Sequence, residues 1–207
     1  MTHRSLALAP SAAVENRAVG RFYDRVAWLY PAVEFFCGAG RARLIAHIDL
    51  LRPGRLLEVG VGPGRHLRRY RRHALTAVDC SARMVALSRE AGCADVRWMD
   101  GERLEFPEGA FDYVVLSHVL AVTRDPARML AEAHRVLRPG GCVFVLNHET
   151  PAGAWRHVEA AAAPIGRWLR VRTWFRVREV RGVERFRRVQ SVPGGWLGWV
   201  AAYALEK

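Results

Sequence analysis

Lysine is almost missing from this chain of 207 residues: Lys207 is the one example, and every other basic side chain is arginine. Acids are scarce beside them, 20 against 32 basic groups, which leaves a formal net charge of +12. Such a field attracts polyanions, with nucleic acid and an anionic lipid surface as the two candidates and a merely solvated surface as the third reading. The charge is concentrated: Arg65, Arg68, Arg69, Arg71 and Arg72 crowd one stretch, and residues 151–207 hold 11 basic and 4 acidic groups. Cysteine is also sparse. Cys37, Cys80, Cys93 and Cys142 have neither paired spacing nor a neighbouring histidine cluster, which argues against a zinc site or disulfide framework and points to reduced cytosolic thiols. Long apolar runs are absent too. The stretch Trp196 to Leu205 is about half a membrane span, and the first residues show no apolar core ahead of a small-residue cleavage site. The expectation is a cytoplasmic protein, either soluble or peripheral on the inner face of a membrane. No repeat or low-complexity segment stands out, and a composition that is 51% hydrophobic suits one globular domain.

What is present is concentrated in Leu56-Leu57-Glu58-Val59-Gly60-Val61-Gly62-Pro63-Gly64, an apolar strand running into three glycines at alternate positions. Glycine is needed where φ is positive or where a Cβ would strike a ligand. The run Arg65 to Tyr70 is expected to open a helix whose first amides face the same spot. The dinucleotide pattern Gly-x-Gly-x-x-Gly is not met, because Arg65 or Leu67 stands where its last glycine belongs. An acid, Glu58, precedes the turn instead; it repels a pyrophosphate and suits a cationic amine.

This segment resembles motif I of the class I S-adenosylmethionine-dependent methyltransferases, and further matches follow in order. Ala74 to Val78 is a second apolar run ending in Asp79, which the resemblance assigns to the ribose hydroxyls. Cys80-Ser81-Ala82-Arg83-Met84 resembles the next piece, where a methionine packs on adenine. Val96-Arg97-Trp98-Met99-Asp100-Gly101 is similar to the third strand and its acid, which in the family bonds the adenine amino group. Phe111 to Ser117-His118 and Leu137-Arg138-Pro139-Gly140-Gly141 are similar to the fourth strand and the turn before the fifth. The resemblance spans residues 56 to 148. It implies an α/β Rossmann-like sandwich with a seven-stranded, mostly parallel sheet and an antiparallel last strand, for which Trp199 to Glu206 is the candidate. The implied methyl donor is S-adenosylmethionine, leaving S-adenosylhomocysteine. The implied cofactor residues are Tyr23, Tyr30, Glu58, Gly60, Gly62, Gly64, Asp79, Cys80, Met84, Asp100, Gly101 and Ser117, with no metal. Plainer readings stay open: Glu58 as a satisfied buried carboxylate, Asp79 and Asp100 as helix caps, Met84 as ordinary core.

The flanks narrow the resemblance. Residues 12–29 place Phe22, Val26 and Leu29 at helical spacing with Arg17, Arg21 and Arg25 on a neighbouring stripe, an amphipathic helix. Pro31 disfavours helical geometry at Tyr30, so a break should precede a second helix through Phe35, Phe36 and Arg43. Phe22-Tyr23-Asp24 to Tyr30-Pro31 resembles a tyrosine motif that closes over the methyl donor in small bacterial methyltransferases. Val143 to His148 and Ala163-Pro164-Ile165 resemble the soluble bacterial phosphatidylethanolamine N-methyltransferases, which dock on anionic membrane. The resemblance thus divides a single domain into a helical lid and docking segment (1–45), a cofactor-binding core (46–148) and a substrate-side part (149–207). The acceptor is then an amine-bearing lipid or, alternatively, a soluble small molecule methylated on N, O or C. Nucleic acid is disfavoured, because Ser117-His118-Val119-Leu120 stands where base methyltransferases carry an Asn/Asp-Pro-Pro-aromatic motif. An amine acceptor must lose a proton, and Tyr23, His118 and His148 are the candidate catalytic residues. For His118 the competing role is packing beside the cofactor, for Tyr23 closing the lid, and for His148 simple exposure.

Overall fold

The apolar runs become strands with both faces covered, as parallel sheets require. In the structure, a computed structural model that describes residues 20–22, 24–25, 30–149, 176–192 and 200–207, the strands join in one sheet. Helix α1 (Tyr30–Asp49) leads into β1 (Arg55–Val59), β2 (Ala74–Asp79), helix α2 (Ala82–Glu90), β3 (Val96–Trp98) and β4 (Phe111–Ser117). Helix α3 (Pro126–Val136), β5 (Leu137–His148), β6 (Arg188–Ser191) and β7 (Val200–Glu206) complete the order. The sheet runs β3-β2-β1-β4-β5-β7-β6, with β7 antiparallel to both neighbours and parallel pairing from β3 through β5. This is the expected Rossmann-like sandwich, and β7 starts one residue after Trp199.

Alternation along each strand divides the core in two. Leu57, Val59, Val114, Leu116, Val143 and Val145 share one cluster with Met129, Leu130, Ala133 and Val136 of α3. Leu56, Val115, Phe144 and Leu146 share the other with Leu44, Ile45 and Ile48 of α1 and Val85 of α2. Each fully buried leucine contributes roughly 1.5–3 kcal/mol, so these faces hold the helices in place. Glu58 lies between Leu57 and Val59 and therefore points to the α1 side. The helix starts are capped as their sequences allow. Ser81 accepts from the Met84 amide at the head of α2, and Asp125 accepts from the Arg128 amide at the head of α3, with Pro126 in the first turn.

Three local features depart from expectation. Arg65 to Tyr70 does not open an α-helix; one 3-10 turn, Leu67–Arg69, is all that forms. The link between Gly64 and Ala74 instead runs back along β1 as irregular chain. The five arginines of this stretch are therefore exposed on an irregular link, tied down where the amides of Arg71 and Arg72 donate to Asp49. Leu137 to Gly141 is likewise not a separate turn, because β5 already begins at Leu137. It bulges before Cys142 pairs with Tyr113, and Gly140 has φ +71°. At the N-terminus, residues 20–22 and 24–25 are helical and α1 starts at Tyr30 with Pro31 in its first turn, where proline is tolerated. Most of the amphipathic helix, Arg17 included, lies outside the described residues, as do residues 26–29 ahead of α1 and Ala163-Pro164-Ile165, while Tyr30, expected to be non-helical, is part of α1.

The single lysine is pinned. Its ammonium donates to the carbonyls of His134 (2.9 Å) and Leu137 (2.7 Å), and its backbone bonds Gly140 and Gly141.

Candidate functional site

From the centre of the sheet, β1, β2 and β3 step one way and β4 and β5 the other, so the topological switch point lies between β1 and β4. Ligands of open parallel sheets bind there, beyond the carboxyl ends of the strands. The structure brings to that edge Gly60, Gly62 and Gly64 after β1, Asp79 and Cys80 at β2, Asp100 and Gly101 after β3, Ser117 and His118 at β4, and His148 at β5. Tyr30 is placed as the first residue of α1, while Tyr23 lies outside the described residues.

Gly60, Gly62 and Gly64 all adopt left-handed φ, +72°, +60° and +71°. A Cβ on Gly60 would stand 2.6 Å from Val119 and one on Gly64 2.2 Å from the Ser88 hydroxyl, so no other residue fits either place. The turn turns its donors inward. The amides of Gly60 and Val61 donate to the Val78 carbonyl (2.8 and 3.2 Å) and that of Gly62 to Asp79 Oδ2 (2.8 Å). Pro63 has no N–H to offer. No α-helix follows over Arg65 to Tyr70 to add the expected first-turn amides.

Asp79 bridges two loops, accepting from Gly62 on one oxygen and from the Ser81 amide (2.9 Å) on the other. Burial, only partly offset by those amides and reinforced by the nearby Asp24 charge, pushes its carboxyl up to about 6. The N-terminal segment packs directly over this loop. Asp24 accepts from the Ser81 hydroxyl and from the Arg83 amide (3.2 Å), and a Cβ on Gly20 would lie 2.4 Å from the Cys80 carbonyl.

Glu58 is not open to the cleft. It is 1% exposed, and Oε1 meets His66 Nε2 at 2.7 Å. Burial opposes its charge, but the His66 and Arg41 contacts outweigh it and hold the carboxyl below its usual value. Tyr70, buried beside it, is pushed well up by burial and by the Glu58 charge. Arg41 of α1 completes the group, donating from Nε to Ser117 Oγ (3.1 Å) and from Nη1 to His66 Nδ1 (3.2 Å). An arginine can only donate, so His66 Nδ1 is the acceptor and Nε2 carries the proton that Glu58 receives. Sequence reading singled out neither His66 nor Arg41. No signal in the sequence set either of them apart.

The remaining residues divide by burial. Met84 is 1% exposed, and Gly101 is required by packing, since a Cβ there would meet Val59 at 2.6 Å and Met129 at 2.8 Å. Cys80 is half-buried, its thiol pushed up by burial and by Asp79 and Asp100, and its carbonyl accepts from the indole of the exposed Trp98 (2.9 Å). Asp100 accepts from the Glu102 amide at 2.9 Å. His118 has φ +58°, alone among the described non-glycine residues, and its amide donates to the Leu146 carbonyl at 2.6 Å. Backbone strain of this kind gathers at functional sites. Its Nε2 is buried with no hydrogen-bond partner among the described residues, and burial, with Arg41 and His148 nearby, lowers its imidazole to about 3.

The comparisons agree with this geometry. Residues 57–145 match the family model of a methyltransferase domain. A phosphatidylethanolamine N-methyltransferase of Cereibacter sphaeroides is 34% identical over 189 residues, covering 87% of this chain and 93% of that protein. The chain belongs to the S-adenosylmethionine-dependent methyltransferases. Among solved structures, a methyltransferase of Thermotoga maritima described as a possible histamine N-methyltransferase superposes with a TM-score of 0.70 at 23% identity, covering 90% of this chain and 99% of that one. The 1,6-didemethyltoxoflavin-N1-methyltransferase of Burkholderia thailandensis, solved with S-adenosylhomocysteine bound, gives 0.59 at 23% identity, covering 99% and 98%. Both share the fold.

S-adenosylmethionine is the cofactor of this methyltransferase, and the residues present suit it. A glycine turn whose donors face inward, followed by a buried carboxylate, favours hydroxyls and an ammonium over a diphosphate. Among the described residues no three His, Cys, Asp or Glu side chains converge as a metal site.

Proposed function

We propose that this methyltransferase N-methylates phosphatidylethanolamine or a similar amphiphilic amine at a membrane surface. The observation that carries the reading is the 34% identity to a phosphatidylethanolamine N-methyltransferase running through 93% of that protein, flanks included. The excess of arginine supports it, since each basic group near an anionic membrane contributes about 1 kcal/mol. Among the described residues no helix is long and apolar enough to cross a membrane, so the reading is of peripheral attachment, on the cytoplasmic face, through the segment 1–45.

Bound S-adenosylmethionine supplies a methyl group already activated on a sulfonium. The chain's task is to align the acceptor nitrogen, exclude water and remove its proton, and alignment alone can contribute about 7 to 11 kcal/mol. In this reading Asp79 accepts from the ribose hydroxyls and Asp100 from the adenine amino group, with Met84, Cys80 and Gly101 shaping the adenine side and Ser117 the sulfur side. Tyr23 and Tyr30 belong to the lid. His118, held near 3, stays neutral at physiological pH and is too weak a base to keep a proton taken from an ammonium. It orients the acceptor through Nε2, and His148 at the end of β5 leads the proton away. Glu58 acts from behind, through His66.

Purified protein given labelled S-adenosylmethionine and anionic liposomes containing phosphatidylethanolamine should yield the labelled monomethyl lipid or its more methylated products. Replacing Arg17, Arg21 and Arg25 by Ala should reduce liposome binding and its salt dependence while leaving S-adenosylhomocysteine affinity unchanged. A protein that methylates soluble amines, never lipid, and does not co-sediment with liposomes would refute the lipid substrate and leave a small-molecule methyltransferase.

A further inference from the structure

Among the described residues two large apolar side chains are exposed, Leu50 and Trp98. Leu50 follows α1 and precedes β1, at the amino edge of the sheet and away from the cofactor site. Trp98 ends β3, at the carboxyl edge where the cofactor loops gather, and it is 60% exposed although the N-terminal segment packs on the neighbouring loop. We infer that Trp98 is a membrane anchor, its indole flanked by Arg21, Arg25 and Arg83 and seated at the headgroup level of an anionic lipid surface. The inference rests on the membrane reading above and extends the contact from the segment 1–45 to the edge of the sheet itself.

Strand alternation puts Trp98 on the same face as Val96, the face that Val85 of α2 covers. Its indole N–H donates to the Cys80 carbonyl (2.9 Å), the same carbonyl that Gly20 of the N-terminal segment packs against. The one polar atom of the side chain is therefore satisfied within the protein, and what the ring offers to its surroundings is apolar. A ring already held in place also loses little freedom on docking. The cations lie on the same loop. Arg83 is exposed in the first turn of α2, and its amide donates to Asp24 (3.2 Å), which brings the exposed Arg25 beside it; the exposed Arg21 adjoins Gly20. Asp24, the acid between them, also accepts from the Ser81 hydroxyl, so three guanidinium groups face one carboxylate that is turned to the protein. An amphipathic ring among basic side chains matches the boundary of an anionic bilayer, where tryptophan settles at the headgroups and arginine is drawn to the phosphates.

The probe is a vesicle of equal parts phosphatidylglycerol and phosphatidylcholine, which holds no amine acceptor, so binding is read apart from methyl transfer. Co-sedimentation should fall at least about fivefold for Trp98→Ala and stay within about twofold for Trp98→Phe, which keeps a ring without the N–H. Arg83→Ala should weaken binding about fivefold at 0.1 M salt and change little at 1 M. Subtracting the fluorescence of Trp98→Phe from that of the wild type isolates one of the seven tryptophans. That signal should move to shorter wavelength on vesicles and be quenched by brominated acyl chains. A difference signal that vesicles leave unmoved, or equal partition of wild type and Trp98→Ala, would overturn the inference and leave attachment through the segment 1–45 intact. Trp98→Phe failing as badly as Trp98→Ala would also overturn it, by giving the effect to the bond with Cys80 rather than to the ring. Binding of single-stranded RNA in place of vesicles, abolished in Trp98→Ala, would assign the ring to a nucleobase. Wild-type protein that binds no vesicle would overturn the membrane reading together with this one.

Discussion

Replacing Asp79 by Asn tests the cofactor reading at its most sensitive group. The carboxylate is 7% exposed, and burial pushes it from 3.8 to about 6. Its folded value lies above its unfolded value, so its contribution to stability is complete below about pH 4 and is lost as pH rises through about 6. The cost at pH 7 is on the order of 3 kcal/mol. A group kept charged at that cost has a use, and accepting two ribose hydroxyls is the proposed one. Hydrogen bonds to a charged acceptor contribute about 1.5–3 kcal/mol, so Asp79→Asn should weaken S-adenosylhomocysteine binding roughly 10- to 150-fold at pH 7. Protonation should mimic the substitution. Wild-type affinity, measured by calorimetry at constant ionic strength, should be about tenfold lower at pH 5 than at pH 7, while the Asn variant should be weak and flat across that range. In thermal or denaturant unfolding without ligand, the variant should gain on the wild type by up to about 3 kcal/mol between pH 4 and pH 7. A flat wild-type binding profile, with the variant binding as tightly, would refute the ribose assignment.

Two further expectations concern the same loop and the glycine turn. Asp24→Asn keeps the oxygen that Ser81 and Arg83 use but removes a charge that raises Asp79, so at pH 5 it should bind S-adenosylhomocysteine more tightly than wild type, the two agreeing at pH 8; identical profiles would deny that residue 24 sits over the ribose loop. Gly64→Ala should destabilise the fold by about 1–3 kcal/mol, lowering the melting temperature by several degrees, and adding Ser88→Gly should restore only part of it, because the clash at 2.2 Å is relieved while φ +71° is not; full recovery would show that the backbone carries no strain there.

The core was legible because its signals are local. Strand, glycine turn and acid follow one another within a few residues at Leu56 to Gly64 and at Ala74 to Asp79, and both appear in the structure where they were expected. What sequence did not disclose depends on lengths and partners in space. Arg65 to Tyr70 has no helix breaker, yet one 3-10 turn is all that forms there. Glu58 has the charge to greet an ammonium, but strand alternation turns it toward α1, where His66 covers it. Arg41 is one of many arginines in the text of the chain. Only the packing of α1 against the sheet sets it apart by joining it to Ser117 and His66.

Lys207, tied to two carbonyls at the foot of β5, leaves the surface without a free amine on any described side chain, and the rest of the positive charge belongs to guanidinium groups. Guanidinium does not titrate below pH 12 and is not a target of acetyl transfer to amines. Whatever polyanion this surface attracts, lysine acylation cannot tune the grip. Dissolved salt remains as the control, shortening the reach of the field from about 10 Å at 0.1 M to about 3 Å at 1 M.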